Sequence, residues 1–195
     1  MTLEEYLQDS RDELPPDGAV GTETEWLSVA TLELTTGKLW IGDPQFAWAE
    51  ANEGEGCLIE LPNGSYQVEA KGVDFAGSRF VSRIRVYRAG STDIAVGDEI
   101  GEAGTDSAQI GVADQQALKA AFDESCGDDV DAALDMLEEN IDGAVGVFEP
   151  VPDGDGRLVF LPSGVGDGGG PVFELLEGRE RVGIEHAFID ARQPF

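Results

Sequence analysis

Basic residues are scarce in this chain. Lysine occurs three times, at Lys38, Lys71 and Lys119, and histidine once, at His186; lysine and arginine together number 12 against 40 acids, a formal net charge of −28. Any broad surface of such a chain repels phosphate backbones, so no nucleic-acid partner is expected. A single histidine excludes every site that needs two, including the His-Glu-x-x-His zinc motif and three-histidine centres. Cysteine is scarce too. Cys57 and Cys126 lie far apart with no Cys-x-x-Cys spacing, and they read as free, half-buried thiols of a cytosolic protein. No apolar run approaches the roughly 18 residues of a membrane helix, so no membrane is expected. The opening Met1-Thr2-Leu3-Glu4-Glu5 has acids where a signal peptide has lysines. The expected location is cytoplasmic.

What is present is acid in excess, together with a hydrophobic fraction of 41%, enough to bury a core. A monomer this acidic repels itself at low ionic strength. At about 1 M salt the Debye length falls to roughly 3 Å and that repulsion is screened. Two readings follow: a surface adapted to a salty cytosol, or one that attracts a basic partner. The scatter of the acids along the chain favours the first.

The pattern predicts an α+β fold, mainly antiparallel β-sheet and barrel- or sandwich-like, in one domain spanning 1–195. Residues 1–18 read as a short helix and a turn, with Leu3, Tyr6 and Leu7 on one helical face and Pro15-Pro16-Asp17-Gly18 breaking the chain. Residues 25–112 read as a β meander, with strands at Trp26–Leu34, Lys38–Ile41, Cys57–Leu61, Ser65–Val73 and Arg79–Arg88, and with Asn63-Gly64 as a hairpin turn. A two-helix hairpin is inserted at about 114–141. Asp114 is its N-cap, Leu118, Ala121 and Phe122 form the first apolar face, and Val130, Ala133, Leu134, Leu137 and Ile141 form the second. Residues 143–190 return to strands at 144–149, 157–161, 172–176 and 181–189, the last two joined by a short loop at Glu177–Glu180.

Several motifs invite chemistry. Gly164-Val165-Gly166-Asp167-Gly168-Gly169 matches Gly-x-Gly-x-x-Gly after a strand, yet the helix whose N-terminus would meet a pyrophosphate has no room before Gly178. It reads as a glycine loop with unusual backbone angles whose amides can approach a small ligand or a partner. Asp153-Gly154-Asp155-Gly156 lacks the oxygen ligands of an EF-hand and reads as a type I′ hairpin turn. No cofactor is implied. Ser163 or Cys57 with His186 is the formal nucleophile–base pairing, but no Gly-x-Ser-x-Gly elbow supports it. His186 alternates with Val182, Ile184 and Phe188, as a core histidine would.

Arg79, Arg83, Arg85 and Arg88 place four of the nine arginines in one strand. Plain alternation sets Arg79, Arg83 and Arg85 on one face with Val81 and Tyr87, opposite Phe80, Ile84 and Val86. Two readings stand: ion pairs with neighbouring carboxylates on the sheet surface, or an anion- or partner-binding face.

Four pieces of the chain resemble, in order, a bacterial family called domain of unknown function 4241. They are Gly37-Lys38-Leu39-Trp40-Ile41-Gly42-Asp43-Pro44, Leu61-Pro62-Asn63-Gly64-Ser65-Tyr66-Gln67-Val68, Asp106-Ser107-Ala108-Gln109-Ile110-Gly111 and Ser163-Gly164-Val165-Gly166-Asp167-Gly168. The chain departs from that family at Ala108, where glycine is favoured, and at Gly170, where an aromatic residue is usual. The resemblance implies a β-rich fold and supplies no reaction. It also singles out Asp43, Asp106 and Asp167, either converging at one sheet edge or each capping its own turn.

Two functions are therefore carried forward. One is a non-catalytic binding or protein-interaction module of immunity or regulatory type, with Arg79, Arg83, Arg85, Gly164, Gly166 and Asp167 as candidate contacts and a protein as the partner class. The other is a metal-assisted hydrolase using Asp43, Asp106 and Asp167.

Overall fold

The computed structural model describes residues 1–10, 14–48, 56–141 and 145–193. Its elements in chain order are α1 (Leu3–Gln8), β1 (Thr22–Glu23), β2 (Leu27–Leu34), β3 (Lys38–Gly42), a 3₁₀ turn (Pro44–Phe46), β4 (Gly56–Glu60), β5 (Gly64–Phe75), β6 (Ser78–Arg88), β7 (Ile94–Thr105), β8 (Gln109–Asp114), α2 (Gln115–Cys126), α3 (Val130–Glu138), β9 (Gly146–Phe148), β10 (Leu158–Pro162), β11 (Gly168–Glu177) and β12 (Glu180–Ala187). The fold is α+β, mostly antiparallel sheet, with α2 and α3 forming the helical hairpin. No helix among the described residues is long and apolar enough to cross a membrane.

Two antiparallel sheets pack face to face. The larger runs β1-β5-β6-β12-β11-β7, with β2 beside β1 on the free side of β5; the smaller runs β4-β3-β8-β10-β9. Alternation along β5 buries Tyr66, Val68 and Ala70 between the sheets, against Ile84 and Val86 of β6 and Ile110 and Val112 of β8. The other face of the smaller sheet presents Trp40, Ala113, Leu158 and Phe160 to Leu118, Phe122, Ala133 and Leu137 of the hairpin. The result is a sandwich with a helical layer on one side. Val130 departs from the expected stripe: it is 58% exposed, because α3 meets the core only from its second turn, at Ala133.

The first hundred residues are not a meander. The chain passes from β2 in the larger sheet to β3 and β4 in the smaller one, then returns to β5. Asn63-Gly64 is thus a crossing between sheets rather than a hairpin turn. Asn63 Nδ2 donates to the Thr35 carbonyl at 2.6 Å, and the Leu61 amide to the Gly37 carbonyl at 3.0 Å, tying the two crossings together. True hairpin turns sit at Ala76-Gly77, both left-handed with φ 59° and 103°, and at Gly178-Arg179 between β11 and β12. Asp153 to Gly156 are no type I′ turn. The bond from the Gly154 amide to the Val151 carbonyl at 3.0 Å closes a turn over Pro152 and Asp153, with Asp153 left-handed at φ 59°. Gly156 is small for packing, since a Cβ there would lie 2.6 Å from that of Ala121 in α2. Of the strand expected at 144–149, residue 144 lies outside the described residues.

A β-bulge at Ser82 corrects the arginine face. Lys71 pairs with Arg83 but Gly72 pairs with Val81, leaving Ser82 as the extra residue. Its carbonyl accepts the amides of Phe188 and Ile189 at 2.9 and 3.2 Å. Alternation reverses there, so Val81 joins Ile84 and Val86 in the core. Arg79 falls on the α1 side, donating to the Tyr6 carbonyl at 3.0 Å, while Arg83 and Arg85 face the other way.

Candidate functional site

Two buried aspartates in matching roles hold the opposite ends of the β3–β8 pair. Asp43 ends β3 and caps the 3₁₀ turn, its Oδ1 accepting from the Gln45 amide at 2.9 Å. Its Oδ2 accepts from the Asp106 and Ser107 amides, at 2.8 and 2.7 Å, in the turn that leads into β8. Asp114 ends β8 and caps α2. Its Oδ2 accepts from the Thr35 and Thr36 amides, both at 2.7 Å, in the turn that leads into β3, and its Oδ1 accepts from the Thr36 hydroxyl. Since β3 and β8 are antiparallel neighbours, each strand's last carboxylate clasps the entry to the other. Both side chains are wholly buried. Charge-assisted bonds to several amides are what make a buried carboxylate tolerable.

The Asp43 clasp fixes the 105–108 turn, and the glycine loop is built on that turn. Ser163 at the end of β10 donates its amide to the Ala108 carbonyl at 3.0 Å. Its hydroxyl lies 2.9 Å from that of Thr105 and donates to the Gly166 carbonyl at 3.2 Å. Gly164 and Gly166 are left-handed, with φ 60° and 94°. The pairing of Gly168 with Thr105 then sets Asp167 and Asp106 at the next position of the register, at the sheet end. Between these strand ends opens a cleft of about 600 Å³, lined by Gly56, Glu102, Gly104, Asp106 and the Gly168–Gly170 run.

The three expected acids thus belong to converging segments, yet they do not assemble a cation centre. Asp43 turns inward with both oxygens taken by amides, whereas Asp106 and Asp167 are exposed. Among the described residues no three His, Cys, Asp or Glu side chains are grouped to hold a metal. Nor do Ser163 and His186 form a nucleophile–base pair. Ser163 bonds to Thr105 and Gly166, while His186 is fully buried with Nδ1 3.1 Å from the Pro171 carbonyl. Burial holds the imidazole below its ordinary pKa, against the opposing effect of that hydrogen bond, and burial raises the Cys57 thiol.

The arginines find carboxylates within the chain. Arg79 pairs with Asp74 and Asp9, at 3.3 and 3.4 Å; Arg83 bridges Glu23 and Glu185, at 3.1 and 2.8 Å; Arg85 pairs with Glu69 at 2.6 Å; Arg88 pairs with Glu180 at 2.7 Å. The Arg85 guanidinium also covers the Trp26 and Tyr87 rings, 4.2 and 4.9 Å from their centroids. By contrast, Glu102, Asp106 and Asp167 have no ion-pair partner among the described residues.

Sequence reasoning passed over Glu102 and Gln45, and took Asp114 only for a helix cap. Nothing local marks the second role of Asp114, because Thr35 and Thr36 lie tens of residues away. Ala108 and Gly170 acquire physical content. Ala108 is left-handed at φ 56°, the conformation that favours glycine. A Cβ on Gly170 would overlap the Ala187 carbonyl oxygen, so no side chain fits there without a local shift. Comparison with protein-family models, with curated proteins and with solved structures returns no match to this chain.

Proposed function

We propose that the chain is a non-catalytic binding or protein-interaction module, of immunity or regulatory type, which meets a basic partner at the cleft between the ends of β7 and β11. The observation that carries this reading is the contrast in charge pairing. The arginines of β6 are neutralised within the sheet, while Glu102 and Asp106 stand unpaired around a cleft whose glycines leave backbone open to a contact, and Asp167 stands unpaired on the adjoining glycine loop. Unpaired surface acids steer and select a cationic partner more than they bind it; close backbone approach adds the short-range contacts. The tied hydroxyl of Ser163 and the buried ring of His186 support a binding role over hydrolysis. The proposal keeps the cytoplasmic, high-salt setting and the resemblance to the domain of unknown function 4241 family.

The test is affinity capture from the native host in high-salt buffer, with mass spectrometry of retained proteins and of bound metal. A stoichiometric basic protein is the expected result. A bound divalent metal with hydrolytic turnover would overturn the reading.

A further inference from the structure

A second cavity, of about 580 Å³, lies where the helical hairpin meets the turn before β8, and it shares no lining residue with the cleft. Leu137, Ile141 and Pro162 make its apolar wall, and Gln45, Ser107 and Gln109 bring polar groups to it. That size and that mixture of a greasy wall with a few hydrogen-bonding groups are the usual properties of small-molecule sites. The acid-rimmed cleft is of similar size but is mostly glycine backbone and lacks that mixture.

Two neighbouring residues of this wall are at odds with an inert surface. The Ser107 hydroxyl is cut off from solvent and has no hydrogen-bond partner among the described residues. An orphaned buried hydroxyl is costly, and one χ1 rotation that turns it toward a ligand in the cavity recovers that loss. Ala108 beside it holds the left-handed conformation that a Cβ disfavours, which fixes the turn in the shape that presents Ser107 here. The Gln45 side-chain amide makes no hydrogen bond among the described residues either. Charge narrows the ligand. No basic side chain lines the cavity, so anions are opposed; Glu138, the one charged residue of the lining, is exposed and offers a cation only a weak, solvent-screened pair.

We propose that this cavity binds a small uncharged molecule carrying a carboxamide or equivalent hydrogen-bonding group on a compact apolar body. The site stands independently of the partner-binding cleft. The probes are benzamide, benzoate and benzylammonium, three fragments of one shape and different charge, titrated into the ¹⁵N-labelled full chain. Benzamide is expected to shift the amides of residues 107–109 and 137–141 saturably, with an affinity on the order of 1 mM for a fragment of about nine heavy atoms. Benzoate should bind at least about tenfold more weakly, and Ser107→Ala should weaken benzamide by about fivefold, the loss of one neutral hydrogen bond. Glu138→Trp, an exposed position on α3, should block the cavity with the fold intact. The proposal is overturned if benzamide gives no saturable shift at those residues, or if Glu138→Trp binds it as the native chain does. Benzoate or benzylammonium binding as tightly as benzamide would overturn the assignment of an uncharged ligand.

Discussion

Replacing Asp43 separates a structural clasp from a functional acid. Its carboxylate is wholly buried and accepts three backbone amides, those of Gln45, Asp106 and Ser107, within 2.7–2.9 Å. In Asp43→Asn one side-chain oxygen remains. It can serve the Asp106–Ser107 pair, but the new NH₂ then points at the Gln45 amide, donor against donor. Hydrogen bonds to a charged group contribute about 1.5–3 kcal/mol each, and an unsatisfied buried amide costs about 1–3 kcal/mol. Because these terms overlap, the net loss is set at about 2–4 kcal/mol for Asn, and higher for Ala. With a urea slope of about 2 kcal/mol/M, the denaturation midpoint falls by roughly 1–2 M. Urea unfolding in high salt, followed by tryptophan fluorescence, measures this directly. Asp106→Asn is the control: that side chain is exposed, and it should move the midpoint by no more than about 0.2 M. A midpoint for Asp43→Asn equal to or above the native value would refute the clasp, since removing an acid kept for function often stabilises a fold.

Ala108→Gly relieves a left-handed alanine at φ 56° and should stabilise the chain by about 0.5–1 kcal/mol in the same urea assay; a loss of stability would show the turn to be unstrained. Gly170→Ala forces a Cβ onto the Ala187 carbonyl oxygen and should lower the midpoint clearly, whereas Gly166→Ala, with open space around it, suffers only its backbone strain. His186 is held neutral by burial, so its folded-state pKa lies below the unfolded value of about 6.5. Its contribution is therefore complete above that pH and declines as the pH falls below it. His186→Leu should flatten the limb of the stability curve between about pH 6.5 and 5.5, and an unchanged slope would contradict it. Raising salt from about 0.1 M to about 1 M shortens the Debye length from roughly 10 Å to 3 Å and should raise Tm; a falling Tm would argue against a self-repelling surface.

The elements that repeat apolar residues at a clean period were legible in the sequence. β5 alternates, and α2 shows its face at Leu118, Ala121 and Phe122. β7 was not legible, because Ile94–Thr105 is full of glycine and acid, residues depleted in strands, and only its pairing with β11 makes it one. β8 hid for a different reason. Buried on both faces, it uses the small residues Gly111 and Ala113 where Leu158 and Trp40 press close, so no alternation shows. The arginine face was misread from Arg79 to Val81, since the bulge at Ser82 reverses the alternation and leaves no local mark. At the site, Asp43, Asp106 and the glycine loop could be picked out, and Asp114 was recognised as a cap. Its grip on Thr35 and Thr36 joins positions nearly 80 residues apart, which no local pattern encodes.

The account turns on whether the cleft acids, and not negative charge in general, recognise the partner. Isothermal titration of the captured partner into three forms of the chain decides it: native, Glu102→Lys/Asp106→Lys at the cleft, and Asp131→Lys/Asp135→Lys on the exposed face of α3. Both double variants change the net charge equally. The cleft pair should cost about 30-fold or more in affinity, as contacts at the centre of an interface do, and the helix pair no more than about threefold. Equal losses from the two pairs would contradict the account.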